Sequence, residues 1–180
     1  MQESILLSGP ARLSSFTAAD LGLVRDLWSD PRVARFISSD HNAWSGEAAA
    51  AFLNDAIEDQ RKHGFSRWKA TAPGGEFLGW AGFAVLEETS EVELDYCLSI
   101  SALEDYPDLP LDLCRDLVEW FFENTYFSHL VSVVRTDNRL VRDVMLEAGF
   151  YYRESRRIGG MPCDLFQMLS PSMQTYVLTA

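Results

Sequence analysis

Apolar positions along the chain change their period several times, and each change marks a different kind of element. Ala11 to Phe16 (ARLSSF) predicts a short strand. Beyond it, Leu21, Val24, Leu27 and Trp28 recur at helical spacing. Thr17 with Asp20 is a capping-box variant at the start of that helix, and Asp30-Pro31 is its stop. A brief helical turn from Val33 to Ile37 follows. Ser45 is placed as the N-cap of a further helix, whose Ala49, Phe52, Leu53, Ala56 and Ile57 share one face and which ends near Gly64.

The middle of the chain reads as strands. Phe65 to Ala72, Phe77 to Leu86 and Glu91 to Ile100 are separated by Pro73-Gly74-Gly75 and by the polar run Glu87 to Ser90, which predicts an antiparallel meander. In the third of these, Val92, Leu94, Tyr96 and Leu98 alternate with Glu91, Glu93, Asp95 and Cys97, so an apolar and a polar face are expected. The last third predicts a helix over 111–124 behind Asp108, then a buried strand from His129 to Arg135. Asp137-Asn138 caps a helix over 139–148 that Gly149 ends, and a closing hairpin runs over 150–157 and 164–169. The order β-α-α-β-β-β-α-β-α-β-β is that of an α+β (mixed α/β) sheet protein.

Composition narrows the function. The chain has 180 residues, 47% of them hydrophobic, enough for one domain and a sizeable core. Asp and Glu number 27 against 15 Lys and Arg, a net charge of −12. Such a surface repels phosphate backbones, so nucleic acid is not an expected partner. No apolar run reaches membrane-spanning length, and the opening MQESILLSGPARL has neither the basic region nor the apolar core of a secretion signal. The cysteines (97, 114 and 163) and histidines (41, 63 and 129) are scattered, which predicts a cytoplasmic, metal-free protein without disulfides.

Five stretches carry a resemblance: ARLSSFTAADLGLVRDLWSDPRVARFI, FLGWAGF, EVELDYCL, the helix ending in LVEWFF, and VVRTDNRLVRDVMLEAGF. Together they resemble the GNAT superfamily of N-acetyltransferases, and within it the ribosomal-protein N-terminal acetyltransferases, over residues 11–169. The resemblance implies one GNAT-like domain over residues 1–180, with a mixed sheet that splays between its fourth and fifth strands. Acetyl-CoA would lie in that split and an amine acceptor, a small molecule or a protein N-terminus, would enter from the other side. The implied reaction is direct transfer, in which a base or water relay deprotonates the ammonium and a backbone N–H on the fourth strand holds the oxyanion.

By the same resemblance, Glu93 falls at the position of a general base, with solvation on a polar strand face as the alternative. Leu98, Ser99 and Asn138 fall where the cofactor is contacted, although Asn138 is also a good N-cap without any cofactor. Phe36, Trp44 and Asp95 fall on the acceptor side. Trp28, Trp80 and Tyr96 are expected in the core, and Met145 stands where some members carry a tyrosine acid. The sequence departs from the family at 102–110, ALEDYPDLP, where members usually carry a glycine-rich loop for the CoA pyrophosphate. This segment has no glycine, its Pro107 and Pro110 lack N–H donors, and Glu104, Asp105 and Asp108 stand where phosphate would sit. Arg153, Arg156 and Arg157 form a basic cluster that offers a substitute anion site. Two function classes follow. One is an acyl-CoA-dependent N-acyltransferase. The other is a degenerate member that does not bind acetyl-CoA and serves as a protein-interaction or regulatory module.

Overall fold

The computed structural model describes residues 4–37 and 46–179. Eight strands form one sheet: β1 (Leu6–Ser8), β2 (Ala11–Ser14), β3 (Arg67–Thr71), β4 (Phe77–Val85), β5 (Val92–Leu98), β6 (His129–Arg135), β7 (Tyr151–Ile158) and β8 (Met161–Leu169). Their spatial order is β1-β2-β3-β4-β5-β6-β8-β7. Every neighbouring pair is antiparallel except β5 and β6, which run parallel. The helices are α1 (Leu21–Ser29), α2 (Pro31–Ala34), α3 (Gly46–His63), α4 (Ile100–Asp105), α5 (Leu109–Asn124), α6 (Arg139–Glu147) and α7 (Pro171–Thr179).

The sheet is covered on both faces. Against one face, α5 and α6 close a core that includes Trp68, Phe83, Leu94, Leu117, Phe121 and Phe166, all at or below 1% exposure. Each such side chain contributes about 2–3 kcal/mol of transfer free energy. Against the other face, α1 and α3 bring Val24, Leu27, Trp28 and Leu53 onto Trp80 and Cys97. The expected core positions of Trp28 and Trp80 are therefore filled, and Tyr96 packs against the first core. Met145 is fully buried.

Local chemistry fixes the entry to α1. The backbone N–H and hydroxyl of Thr17 both donate to Asp20 Oδ2, at 2.8 and 3.0 Å, and Lys69 on β3 donates to Asp20 Oδ1 at 2.8 Å. The capping device thus also ties α1 to the sheet. Asn138 Oδ1 accepts the Val141 N–H at 3.4 Å and starts α6, and Gly149, at φ +102°, ends it.

Several elements differ from those read in the sequence. The hairpin partner β1 precedes the first expected strand, and α7 follows the last. Residues 102–110, which stand where family members usually carry a loop, supply the last four residues of α4 and the first two of α5. Asp108 stands at the N-cap of α5, but its side chain makes no capping bond. Ser45, the expected N-cap of α3, lies outside the described residues. No helix among the described residues is long and apolar enough to cross a membrane.

Candidate active site

The sheet opens at its one parallel pair. β4 and β5 are in register from Gly79 with Leu98 to Val85 with Val92, and β6 and β8 from His129 with Leu169 to Arg135 with Cys163. Between β5 and β6 the single registered pair is Glu93 with Val131. Beyond it the two strands part, leaving a split between Asp95–Leu98 and Val133–Arg135. The Ser99 N–H donates to Leu78 O at 2.9 Å, so the alternation of an antiparallel ladder turns the Leu98 N–H away from β4 and into the split.

Glu93 sits where the strands part. Its Oε1 accepts the Val133 N–H at 3.3 Å, so a side chain supplies the bond that the ladder no longer makes. The residue is 8% exposed. The strand face read as polar is therefore packed under α1 and α3, which excludes solvation as the alternative for Glu93. Burial first, and the neighbouring Asp95 second, push the Glu93 carboxyl up to about 8, while Arg67 and the Val133 N–H act in the opposite direction.

Arg67, the first residue of β3, completes the group. Its Nε lies 3.1 and 3.2 Å from the two oxygens of Asp95, and its Nη2 lies 3.0 Å from Asp95 Oδ2. The same Nη2 is 3.9 Å from Glu93 Oε2. The guanidinium lies 5.6 Å from the ring centre of Phe52 and 5.4 Å from that of Trp80. Burial works against its charge, and Asp95 with Glu93 outweighs burial, so Arg67 is held well above its ordinary range. Burial, reinforced by Asp95, likewise raises the Cys97 thiol, which leaves it uncharged and unreactive.

The two ends of the split differ. At the closed end, Glu91 Oε1 lies 2.9 Å from His129 Nε2 and 2.5 Å from Arg153 Nη1. At the open end, Arg135 Nη1 donates to Arg35 O at 2.6 Å and ties the exit of α2 to β6. That contact sets Phe36 at the mouth, with the Arg35 guanidinium 4.3 Å and the Arg135 guanidinium 6.0 Å from its ring centre. A cavity of about 310 Å³ lies between α1, α2 and the start of α4, lined by Leu27, Val33, Phe77, Ile100, Asp30 and Arg32 among others.

The structure thus brings Glu93, Asp95, Leu98 and Phe36 to one split. Trp44 lies outside the described residues. Ser99 and Asn138 are both engaged as helix caps: Ser99 Oγ accepts the Ala102 N–H at 3.1 Å, and Asn138 holds the Val141 N–H. Arg153, Arg156 and Arg157 lie on the edge strand β7, and bond to Glu91, Glu154 and the Gly160 carbonyl, so they do not face the split as a free anion site. Arg67 was absent from the candidates read in the sequence. Its pairing spans 28 positions, and the only local hint is a cation on a strand whose alternate residues, Trp68 and Ala70, are buried.

A model of the acetyltransferase (GNAT) domain matches residues 11–151, most of the chain. The chain belongs to the GNAT acetyltransferase family. Among curated proteins, none matches the sequence. The fold is similar to that of an acetyltransferase from Agrobacterium tumefaciens, at 18% identity and a TM-score of 0.78, covering 93% of this chain and 96% of the other. It is also similar to RimL, a ribosomal L7/L12 alpha-N-protein acetyltransferase solved with coenzyme A, at 15% identity and 0.75, covering 93% and 98%. A third likeness is to MccE, a microcin C7 self-immunity acetyltransferase solved with acetyl-CoA and AMP, at 12% and 0.72, covering 92% and 98%.

The residues present fit the two parts of a CoA thioester differently. The split offers an N–H at Leu98 and a buried carboxyl at Glu93, which suit an acyl thioester arm. The 99–110 segment offers no glycine. Ser99 already fills the Ala102 N–H, and Glu104, Asp105 and Asp108 are exposed around the turn. This segment does not fit a diphosphate.

Proposed function

We propose that this family member is an N-acetyltransferase whose acid–base group is Glu93. The observation that carries the reading is the opening of the sheet after a single β5–β6 pair, with a buried carboxyl at the fork. The acyl donor supplies an activated carbonyl. The Leu98 N–H, aimed into the split, is placed to bind its oxygen as negative charge develops. Glu93 takes the proton that the amine loses as its nitrogen bonds to the carbonyl carbon. The donor's C–S bond breaks to release the thiol, which takes up that proton, and Phe36 borders the acceptor at the mouth. Asp95 is bound to Arg67 and serves Glu93 rather than the acceptor.

The acceptor class proposed is an amine, with a protein N-terminus favoured. RimL, by its description, acts on a protein α-amine, and the net charge of −12 attracts cationic segments. A general base must be deprotonated. With its carboxyl at about 8, Glu93 is mostly protonated at pH 6.5 and mostly charged at pH 9. With the peptide saturating, so that the ionisation of its own amine enters KM, kcat for acetyl transfer to a peptide N-terminus should therefore rise about tenfold per pH unit below pH 8 and level off above it. Glu93→Gln should lower kcat by at least about 100-fold and abolish that rise. A Glu93→Gln protein that transfers acetyl groups at the wild-type rate would defeat the reading.

A second reading rests on the 99–110 segment. Its lack of fit to a diphosphate favours a protein that does not bind acetyl-CoA and acts instead as an interaction module.

A further inference from the structure

The split holds a half-buried cation, a half-buried carboxyl and a buried one. The side chains of Arg67, Asp95 and Glu93 are 23%, 22% and 11% exposed. A group drawn this far out of water is most stable with no net charge, and one guanidinium can balance only one carboxylate. Geometry decides which of the two it balances. Asp95 takes both Nε and Nη2 in the fork arrangement that makes the strongest guanidinium–carboxylate pair. Glu93 Oε2 stands 3.9 Å from the same Nη2, beyond hydrogen-bonding distance, and its other oxygen is turned toward β6.

The guanidinium sits between the two carboxyls, within 3.9 Å of Glu93 Oε2. Phe52 and Trp80 flank it, and Gly82, directly across from Arg67 on β4, adds no side chain there. The other groups acting on this cluster are secondary to Asp95 and Glu93. Asp59 on α3 acts on Arg67, and Cys163 on β8 lies within electrostatic reach of Glu93. Cys97 follows on the same face of β5. Glu91 precedes on that face and is matched by His129 and Arg153.

We infer that Asp95 and Arg67 form a positioning pair for Glu93: Asp95 occupies the guanidinium that Glu93 would otherwise bind, and so leaves Glu93 as the carboxyl that carries the proton of the split. The inference rests on Glu93 being the acid–base group, but it concerns a protonation state that needs no substrate to measure. Asp95 and Arg67 touch no reacting atom in this scheme. They act through Glu93.

The test is a carboxyl ¹³C NMR titration of protein labelled at glutamate, with Glu93 assigned by the resonance missing in Glu93→Gln. In the wild type the midpoint is expected near 8. Asp95→Asn removes the competing carboxylate and frees the guanidinium for Glu93, so the midpoint should fall by about 2 pH units, a 100-fold gain in acidity. Arg67→Met leaves two carboxyls without a cation, and the last proton lost by the pair should come off at least about 1 unit above the wild-type midpoint. These opposite signs keep the test informative if one variant fails to fold. A merely structural ion pair would change the melting temperature in both variants and leave the Glu93 midpoint within about 0.3 units. That result, an upward shift in Asp95→Asn, or a wild-type midpoint in the ordinary range near 4.3 overturns the inference. If the midpoints move as expected while Glu93→Gln transfers acetyl groups normally, the functional reading fails and the positioning pair stands.

Discussion

Gly82 on β4 faces Arg67 on β3 and Asp95 on β5, beside the split. Its φ is +147°, and a Cβ added there would lie 2.2 Å from the Ser66 carbonyl oxygen, which already accepts the Phe83 N–H at 3.0 Å. No rotamer relieves a backbone contact, so the strands would have to separate at the position that sets Arg67 against Asp95. Gly82→Ala should cost on the order of 3 kcal/mol, read as a fall of about 6–12 °C in melting temperature. Gly74 is the control. It has no positive φ and nothing within 4 Å of an added Cβ, so Gly74→Ala should leave the melting temperature within about 2 °C. Strand alternation placed Glu93 and Asp95 on one face, where Glu93 proved to be buried and Asp95 half-buried. Arg67 stayed hidden because its partner is set by the register of β3, β4 and β5, which no local pattern encodes.

Among the elements, those with strong punctuation were readable. Asn138 and Gly149 bracket α6, and turns bracket β4 and β5. The three-residue β1 and six-residue α4 are too short for a period to establish itself, and α7 carries no charge and buries no residue, so it shows no amphipathic face. The hidden α4 matters most, because it occupies the place of an expected phosphate-binding turn. Exposed carboxylates at Glu104, Asp105 and Asp108 oppose an anion there, and each unpaired one costs on the order of 1 kcal/mol at close range in water. Titration calorimetry should therefore find that acetyl-CoA binds no more than about tenfold tighter than acetyl-pantetheine. It should also find that added salt strengthens acetyl-CoA binding by screening the repulsion. Acetyl-CoA binding at least 100-fold tighter than acetyl-pantetheine would reveal a phosphate site that this segment does not explain. No heat with either ligand up to millimolar concentration would favour the second reading, in which the protein is an interaction module.

At the scale of the whole molecule, charge acts twice and in different places. The net charge of −12 draws cationic segments toward the surface, within a Debye length of about 10 Å at 0.1 M salt. Inside the split no such charge is on offer, because Asp95 is bound to Arg67 and Glu93 holds its proton near neutral pH. An ammonium entering the split would lose its hydration without gaining a free counter-charge. On the function proposed above, the acceptor best matched to both facts is a peptide that is basic along its length but presents an amine readily found in its neutral form. An α-amine, with a pKa of about 8, meets that condition, and a lysine ε-amine, at about 10.4, is over 100-fold poorer in neutral form. In a competition assay read by mass spectrometry at pH 7.5, acetyl groups should appear on the N-terminus of a basic peptide and not on its lysines. Reversing the sign of the downstream residues should raise KM at low salt while leaving kcat within about twofold, and the KM difference should shrink above about 0.3 M salt. Acetylation on lysine side chains, or a charge reversal that acts on kcat, would show instead that the split itself accommodates an ammonium, and that the balance among Arg67, Asp95 and Glu93 is not what selects the acceptor.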